Sequence, residues 1–129
     1  MKLFLALGAT GLGAAAFVAL SGPGLAQTAP AAAPPAFAAC RACHTVNQGG
    51  RNGIGPNLYK VVGRPAASVA GFNYSPALKA SKLRWDDKTL DEYLAAPQKK
   101  VPGTRMPIAT PDPAKRAAII AYLKAEGSR

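Results

Sequence analysis

The sequence predicts a small all-α domain of about four helices, joined by long loops with no regular structure of their own. Three observations predict it. Apolar residues recur at helical spacing in two segments, near 86–96 and 112–127, and each segment opens on a residue type that caps helices. Almost nothing alternates with a period of two, as a half-buried strand would. Seven of the thirteen glycines and six of the twelve prolines fall in two segments between the helices, 47–74 and 97–111, where they break regular structure and force turns.

Residues 1–26 are read as an export signal rather than as part of the fold. Met1-Lys2 gives a positive start, residues 3–20 are almost uninterruptedly apolar, and Ser21-Gly22-Pro23-Gly24-Leu25-Ala26 supplies small residues for cleavage after Ala26. Export places the mature protein in the periplasm. The alternative is an uncleaved anchor, because residues 3–20 just reach the length of a marginal membrane span. Their glycines and alanines make a poor one. Residues 27–36 are an uncharged Ala/Pro lead-in, expected to be flexible or partly polyproline-like. What remains, 37–129, is one small domain that can bury only a modest core.

Within that domain a short helix is expected over 37–46, bounded by Pro34-Pro35 before it and by the turn-rich segment 47–53 after it. Ser75-Pro76 has the form of a cap and first helical residue, opening a helix to about Ser81. Asp86 opens the next, with Leu90, Tyr93 and Leu94 on one side and Pro97 as its stop. Asp112-Pro113 opens the last, with Ile119, Ile120, Tyr122 and Leu123 as its apolar side and Gly127 at the expected C-terminal cap. The connections 47–74 and 97–111 are long for so small a domain. Wrapped around a bound group that replaces missing core, they make sense.

The group is named by Cys40-Arg41-Ala42-Cys43-His44, which holds both cysteines and the only histidine of the chain. Two thiols two residues apart can add to the two vinyl groups of one haem, and the following imidazole can reach its iron. A zinc site would need a fourth ligand of a kind the chain lacks, and a thioredoxin-type pair needs a βαβ context that is absent. A redox disulfide stays open as the lesser reading. With one covalent haem accepted, His44 is one axial ligand. Once the signal is removed, Met106 is the only methionine, held in the Pro- and Gly-rich segment 101–107, and it is the expected second ligand. Lys99 and Lys100 could compete only if that loop rearranged or the pH rose far enough to deprotonate an amine.

Sixteen Lys and Arg stand against six Asp and Glu, a formal charge of +10 that becomes +9 when Lys2 leaves with the signal. An exported haem protein rarely meets nucleic acid, so acidic redox proteins are the expected partners. Lys99, Lys100 and Arg105 lie closest in sequence to Met106, and Arg41, Lys79 and Lys82 could extend the same surface.

Taken together, the attachment motif, Gly55-Pro56-Asn57-Leu58, Gly71-Phe72-Asn73-Tyr74-Ser75, Trp85, Leu90 with Tyr93-Leu94, Pro102-Gly103-Thr104-Arg105-Met106 and Ile120-Ala121-Tyr122-Leu123 resemble the class I cytochromes c. The resemblance runs from Cys40 to about Ala125 and implies the small cytochrome c fold, four helices and long loops around one covalent haem. It implies that the Pro56 carbonyl accepts from the second nitrogen of His44, and that Tyr74 and Trp85 bond a haem propionate with Arg64 nearby. Tyr93 and Thr104 would line the Met106 side. Leu78 and Ile108 depart from the mitochondrial pattern, which has Asn and Phe there. The Ala33-Pro34-Pro35 start implies a short first helix.

The resemblance also implies the activity: one-electron transfer between a quinol-oxidising bc-type complex and a terminal oxidase or photosynthetic reaction centre, by a monomer that is not an enzyme. A haem peroxidase or gas-binding sensor is the alternative from another class and needs an open iron position. A carrier tethered by an uncleaved 3–20 is the second alternative.

Overall fold

The computed structural model describes residues 31–129, so the expected signal 1–26 and the first part of the lead-in, 27–30, lie outside the described residues. From Ala31 onward the lead-in touches the domain: Ala31, Ala33 and Ala36 pack against the core. A 3-10 turn, Pro35–Phe37, runs straight into α1, Ala38–Arg41. The first helix is therefore short, as its proline-rich start implies, and it stops before the end of the expected span 37–46. The reason lies in competing hydrogen bonds. His44 N–H still closes a last turn on the Cys40 carbonyl at 2.9 Å, but the Cys43 carbonyl accepts from the Gly55 N–H at 2.9 Å and the Thr45 carbonyl from Leu58 at 2.8 Å, so beyond that turn the carbonyls serve the following loop.

The other helices start where their caps are. The Ser75 hydroxyl accepts from the Leu78 N–H at 3.1 Å and opens α2, Pro76–Ser81, which ends as Lys82 turns left-handed at φ 52°. Asp86 accepts from the Thr89 N–H at 2.7 Å and opens α3, Asp87–Ala95. Pro97 ends α3 as expected and also begins something unexpected, the single turn α4, Pro97–Lys100, because proline is suited to a first helical position. Asp112 accepts from Ala114 and Lys115 at 2.9 and 3.4 Å and opens α5, Pro113–Gly127.

Gly127 is not the cap expected from its position but the last residue of α5, with Ser128 capping. Its small size serves an approach instead. A Cβ there would lie 3.1 Å from the Lys60 Cα, and beside it the Tyr59 hydroxyl donates to the Arg129 carbonyl at 2.6 Å.

The core forms where α3 crosses α5, joining Leu90, Tyr93 and Leu94 to Ile119, Ile120, Tyr122 and Leu123. Phe37, fully buried, meets Tyr122 edge-on with ring centroids 4.8 Å apart and fastens the start of the domain to its end. Only an isolated bridge, Pro65 with Arg84, stands in for sheet among the described residues. No helix among the described residues is long and apolar enough to cross a membrane.

Candidate functional site

All the residues expected at the site line one cavity of about 250 Å³. Cys40, Cys43, His44 and Pro56 come from α1 and the loop after it. Arg64 and Tyr74 come from the long connection before α2, Trp85 from the link between α2 and α3, and Tyr93, Thr104 and Met106 from α3 and the loop before α5. Residues far apart in sequence thus converge on one space.

His44 is held tightly. Its Nδ1 donates to the Pro56 carbonyl at 2.7 Å, as the resemblance implies, which leaves the Nε2 lone pair free to bind a metal. Burial pushes the His44 pKa down, outweighing the opposite pull of the Pro56 bond, and so favours the neutral form, the one able to bind a metal. Gly55 is required beside the ring, since a Cβ there would stand 2.2 Å from His44 Cε1. Cys40 and Cys43 are half-buried free thiols with no disulfide between them. Burial, with a smaller contribution from Cys43, raises the Cys40 pKa above its ordinary value.

At another part of the cavity one buried donor lacks a partner. Arg64 donates from Nη1 to the Tyr59 carbonyl at 2.8 Å and from Nη2 to Asn57 at 3.1 Å, but its buried Nε–H has no acceptor. Burial accordingly pulls the Arg64 pKa down. The Tyr74 hydroxyl accepts from the Val69 N–H at 3.1 Å, which leaves its own proton to donate. Trp85 is buried against Tyr93 with ring centroids 4.9 Å apart.

On the methionine side, the Tyr93 hydroxyl and Thr104 Oγ1 share a buried hydrogen bond of 2.6 Å. Burial pushes the Tyr93 pKa up. Gln98 donates to the Thr104 carbonyl at 2.6 Å, and Met106 is partly buried against the core. Leu78 also lines the cavity, as do the exposed Ile54 and Ile108, 82% and 46% accessible. Of the basic residues near Met106, Lys100 turns away to pair with Glu92 at 2.5 Å, while Lys99 and Arg105 stay exposed.

Three residues carry more of the site than the sequence suggests. Asn57 donates to Thr45 Oγ1 at 2.7 Å and to the Asn47 carbonyl at 3.0 Å while accepting from Tyr59 N–H at 2.9 Å. It anchors the turn that presents Pro56 to His44. Arg116 and its partner Asp91 join α5 to α3 at 2.7 Å. A signal for Arg116 was available: it precedes Ile119, Ile120 and Leu123 at helical spacing, so a charge there falls on the buried side of α5.

An apolar cavity with neutral imidazole, two free thiols and a thioether on its lining, and an unsatisfied guanidinium donor at its edge, suits a large flat ring carrying carboxylates. Haem has that chemistry. The family model for cytochrome c matches residues 31–126.

The chain belongs to the cytochrome c family. Members hold one haem c covalently and carry electrons rather than catalyse reactions on substrates, so the peroxidase alternative falls. The chain is 50% identical over 93 residues to cytochrome c2 iso-2 of Magnetospirillum fulvum, covering 71% of this chain and 96% of that protein. It is 48% identical over 104 residues to cytochrome c2 of Rhodoblastus acidophilus, covering 78% and 97%. Among solved structures, cytochrome cH from Methylobacterium extorquens matches with a TM-score of 0.65 at 49% identity, over 69% of this chain and 90% of that one.

Proposed function

We propose that this protein is a periplasmic carrier of single electrons, with haem joined through Cys40 and Cys43 and its iron held between His44 and Met106. The observation that carries the reading is the convergence of these four side chains on one cavity, with His44 fixed by Pro56 in its ligating tautomer. When bound, the haem supplies an iron that changes by one electron between ferric and ferrous states. The protein's own residues do the rest. Neutral His44 and the Met106 thioether would hold the iron and leave no room for other ligands, and the soft sulfur would raise its potential. Arg64 Nε, the Trp85 indole N–H and the Tyr74 hydroxyl would donate to the propionates, which would also relieve the unsatisfied Arg64 donor.

The signal 1–26 is removed, the lead-in 27–36 follows, and 37–129 works as a monomer. Its donor is a bc-type complex and its acceptor a terminal oxidase or a reaction centre, met through acidic surfaces. The net charge of +10 on the whole chain supports that partner class, and the exposed Lys99 and Arg105 supply charge near Met106, whereas Lys100 is occupied by Glu92.

Met106→Ala tests the reading directly. The ferric protein should lose its weak long-wavelength sulfur-to-iron band, its potential should fall, and the ferrous form should bind CO. A variant that keeps its potential and still excludes CO would assign the ligand elsewhere. For the partners, electron transfer to an acidic protein should slow by about one to two orders of magnitude from low to high salt, and Lys99→Glu should flatten that dependence. A salt-independent rate would leave the charge as a solubilising surface only.

A further inference from the structure

The segment after Met106 is poorly supported by its own backbone. Pro107, Ile108 and Ala109 are exposed, and the one main-chain hydrogen bond from 107–111 is Thr110 N–H to the Leu94 carbonyl at 2.7 Å. Beside that bond, a single guanidinium holds its exit. Arg116, 8% exposed, donates from Nη1 to the Thr110 carbonyl at 3.1 Å and to the Pro111 carbonyl at 2.6 Å. Its Nε and Nη2 donate to the two carboxylate oxygens of Asp91 at 2.7 and 3.4 Å. Four of the five N–H groups are thereby used, and the fork is aimed by α3 while it grips the loop.

We infer that Arg116, oriented by Asp91, is a positioning residue for Met106: it ties down the far end of the methionine segment and so sets how readily the sulfur leaves the iron. The inference rests on Met106 being the axial ligand. A lysine could keep the charge and an ion pair with Asp91 but offers a point charge in place of the planar fork, so it cannot aim two donors at two carbonyls while holding a carboxylate. Loss of one such charge-assisted bond should raise the population of the open loop roughly tenfold, which is about 1.4 kcal/mol.

The experiment uses intact ferric holoprotein and follows cyanide binding, whose rate is limited by departure of the sixth ligand, together with the pH at which the long-wavelength sulfur band disappears. Arg116→Lys should bind cyanide about tenfold faster and lose the band at lower pH, with Asp91→Asn shifted in the same direction by less. Tyr122→Leu serves as a control for general loss of stability, because it weakens the core at Phe37 without touching the loop. If Arg116→Lys matches the wild type, or gains no more in cyanide rate than Tyr122→Leu does at equal loss of unfolding free energy, the positioning role is wrong. Should Arg116→Lys fail to mature, Asp91→Asn is judged by the same comparison. Met106→Ala separates the two readings: a sulfur band that survives it overturns the ligand assignment, whereas a band lost in Met106→Ala but insensitive to Arg116 overturns only the clamp.

Discussion

The segments that carry His44 and Met106 are built in different ways. Around His44 the supporting bonds are local: Gly55 N–H to the Cys43 carbonyl, Leu58 N–H to Thr45, and Asn57 joined to Thr45, Asn47, Asn52 and Tyr59, all within 43–59. Around Met106 they come from outside. The nearest contact of its own N–H is a long 3.5 Å to Thr104 Oγ1, and the loop hangs from Tyr93 and Leu94 of α3 and Arg116 of α5. A turn that satisfies its own donors keeps its shape when the surrounding packing fluctuates, whereas a loop held by helices yields when they move. On the ligation proposed above, the methionine side is thus the one where the ligand should leave first.

The largest expected effect would break this contrast on its stronger side. Gly55→Ala places a methyl 2.2 Å from His44 Cε1, and the ring cannot swing aside without giving up its bond to Pro56. Overpacking of this kind costs about 1–3 kcal/mol, and more where nothing can yield. Holoprotein yield and the denaturation midpoint should both drop. An unchanged midpoint would mean that the histidine segment is as pliable as the methionine loop.

An intermediate effect sharpens the weaker side. Thr104→Val strands the buried Tyr93 hydroxyl, a loss of about 1–3 kcal/mol, while Tyr93→Phe leaves Thr104 its contact with the Met106 N–H and should cost about 0.5–1.5 kcal/mol. Thermal unfolding should rank the two in that order. The pH at which the ferric sulfur band is lost should fall further in Thr104→Val.

The smallest effect concerns the anchor of α4. The hydrogen bond from Lys100 holds the Glu92 carboxyl below its ordinary value. A carboxylate depressed in the folded state stabilises it fully above the unfolded pKa, and that contribution disappears as pH falls through the lower, folded value. Glu92→Gln should therefore flatten the loss of stability below about pH 4.5 and change little at neutral pH. Parallel urea titrations at acid and neutral pH would reveal it. A variant as acid-sensitive as the wild type would show the pair to be inert.

What was legible in the sequence follows the same division. The attachment motif is a local pattern, as are the caps Ser75, Asp86 and Asp112 and the apolar stripes of α3 and α5, and the structure has these caps and stripes where expected. The expected lining residues also meet around one cavity, because the resemblance fixed their order where spacing alone could not. The misses are long-range. The end of α1 depends on Gly55 and Leu58, the placement of Gly127 on Lys60, and the clamp at 110–111 on Asp91, and none of these partners is adjacent in sequence. α4 was missed for a different reason: a proline that ends one helix can also begin another.

The edge-on contact of Phe37 with Tyr122 also sets an order of events in the life of the chain. The fully buried ring at the head of the domain has its partner close to the tail, so the core cannot close while α5 is still being synthesised or is still inside a secretion channel. Such a distant pairing comes late because the intervening chain must first be gathered in. On the export route proposed above, that delay is useful: the polypeptide stays threadable until its last helix has emerged, and its thiols stay open to haem attachment in the compartment where it completes its fold.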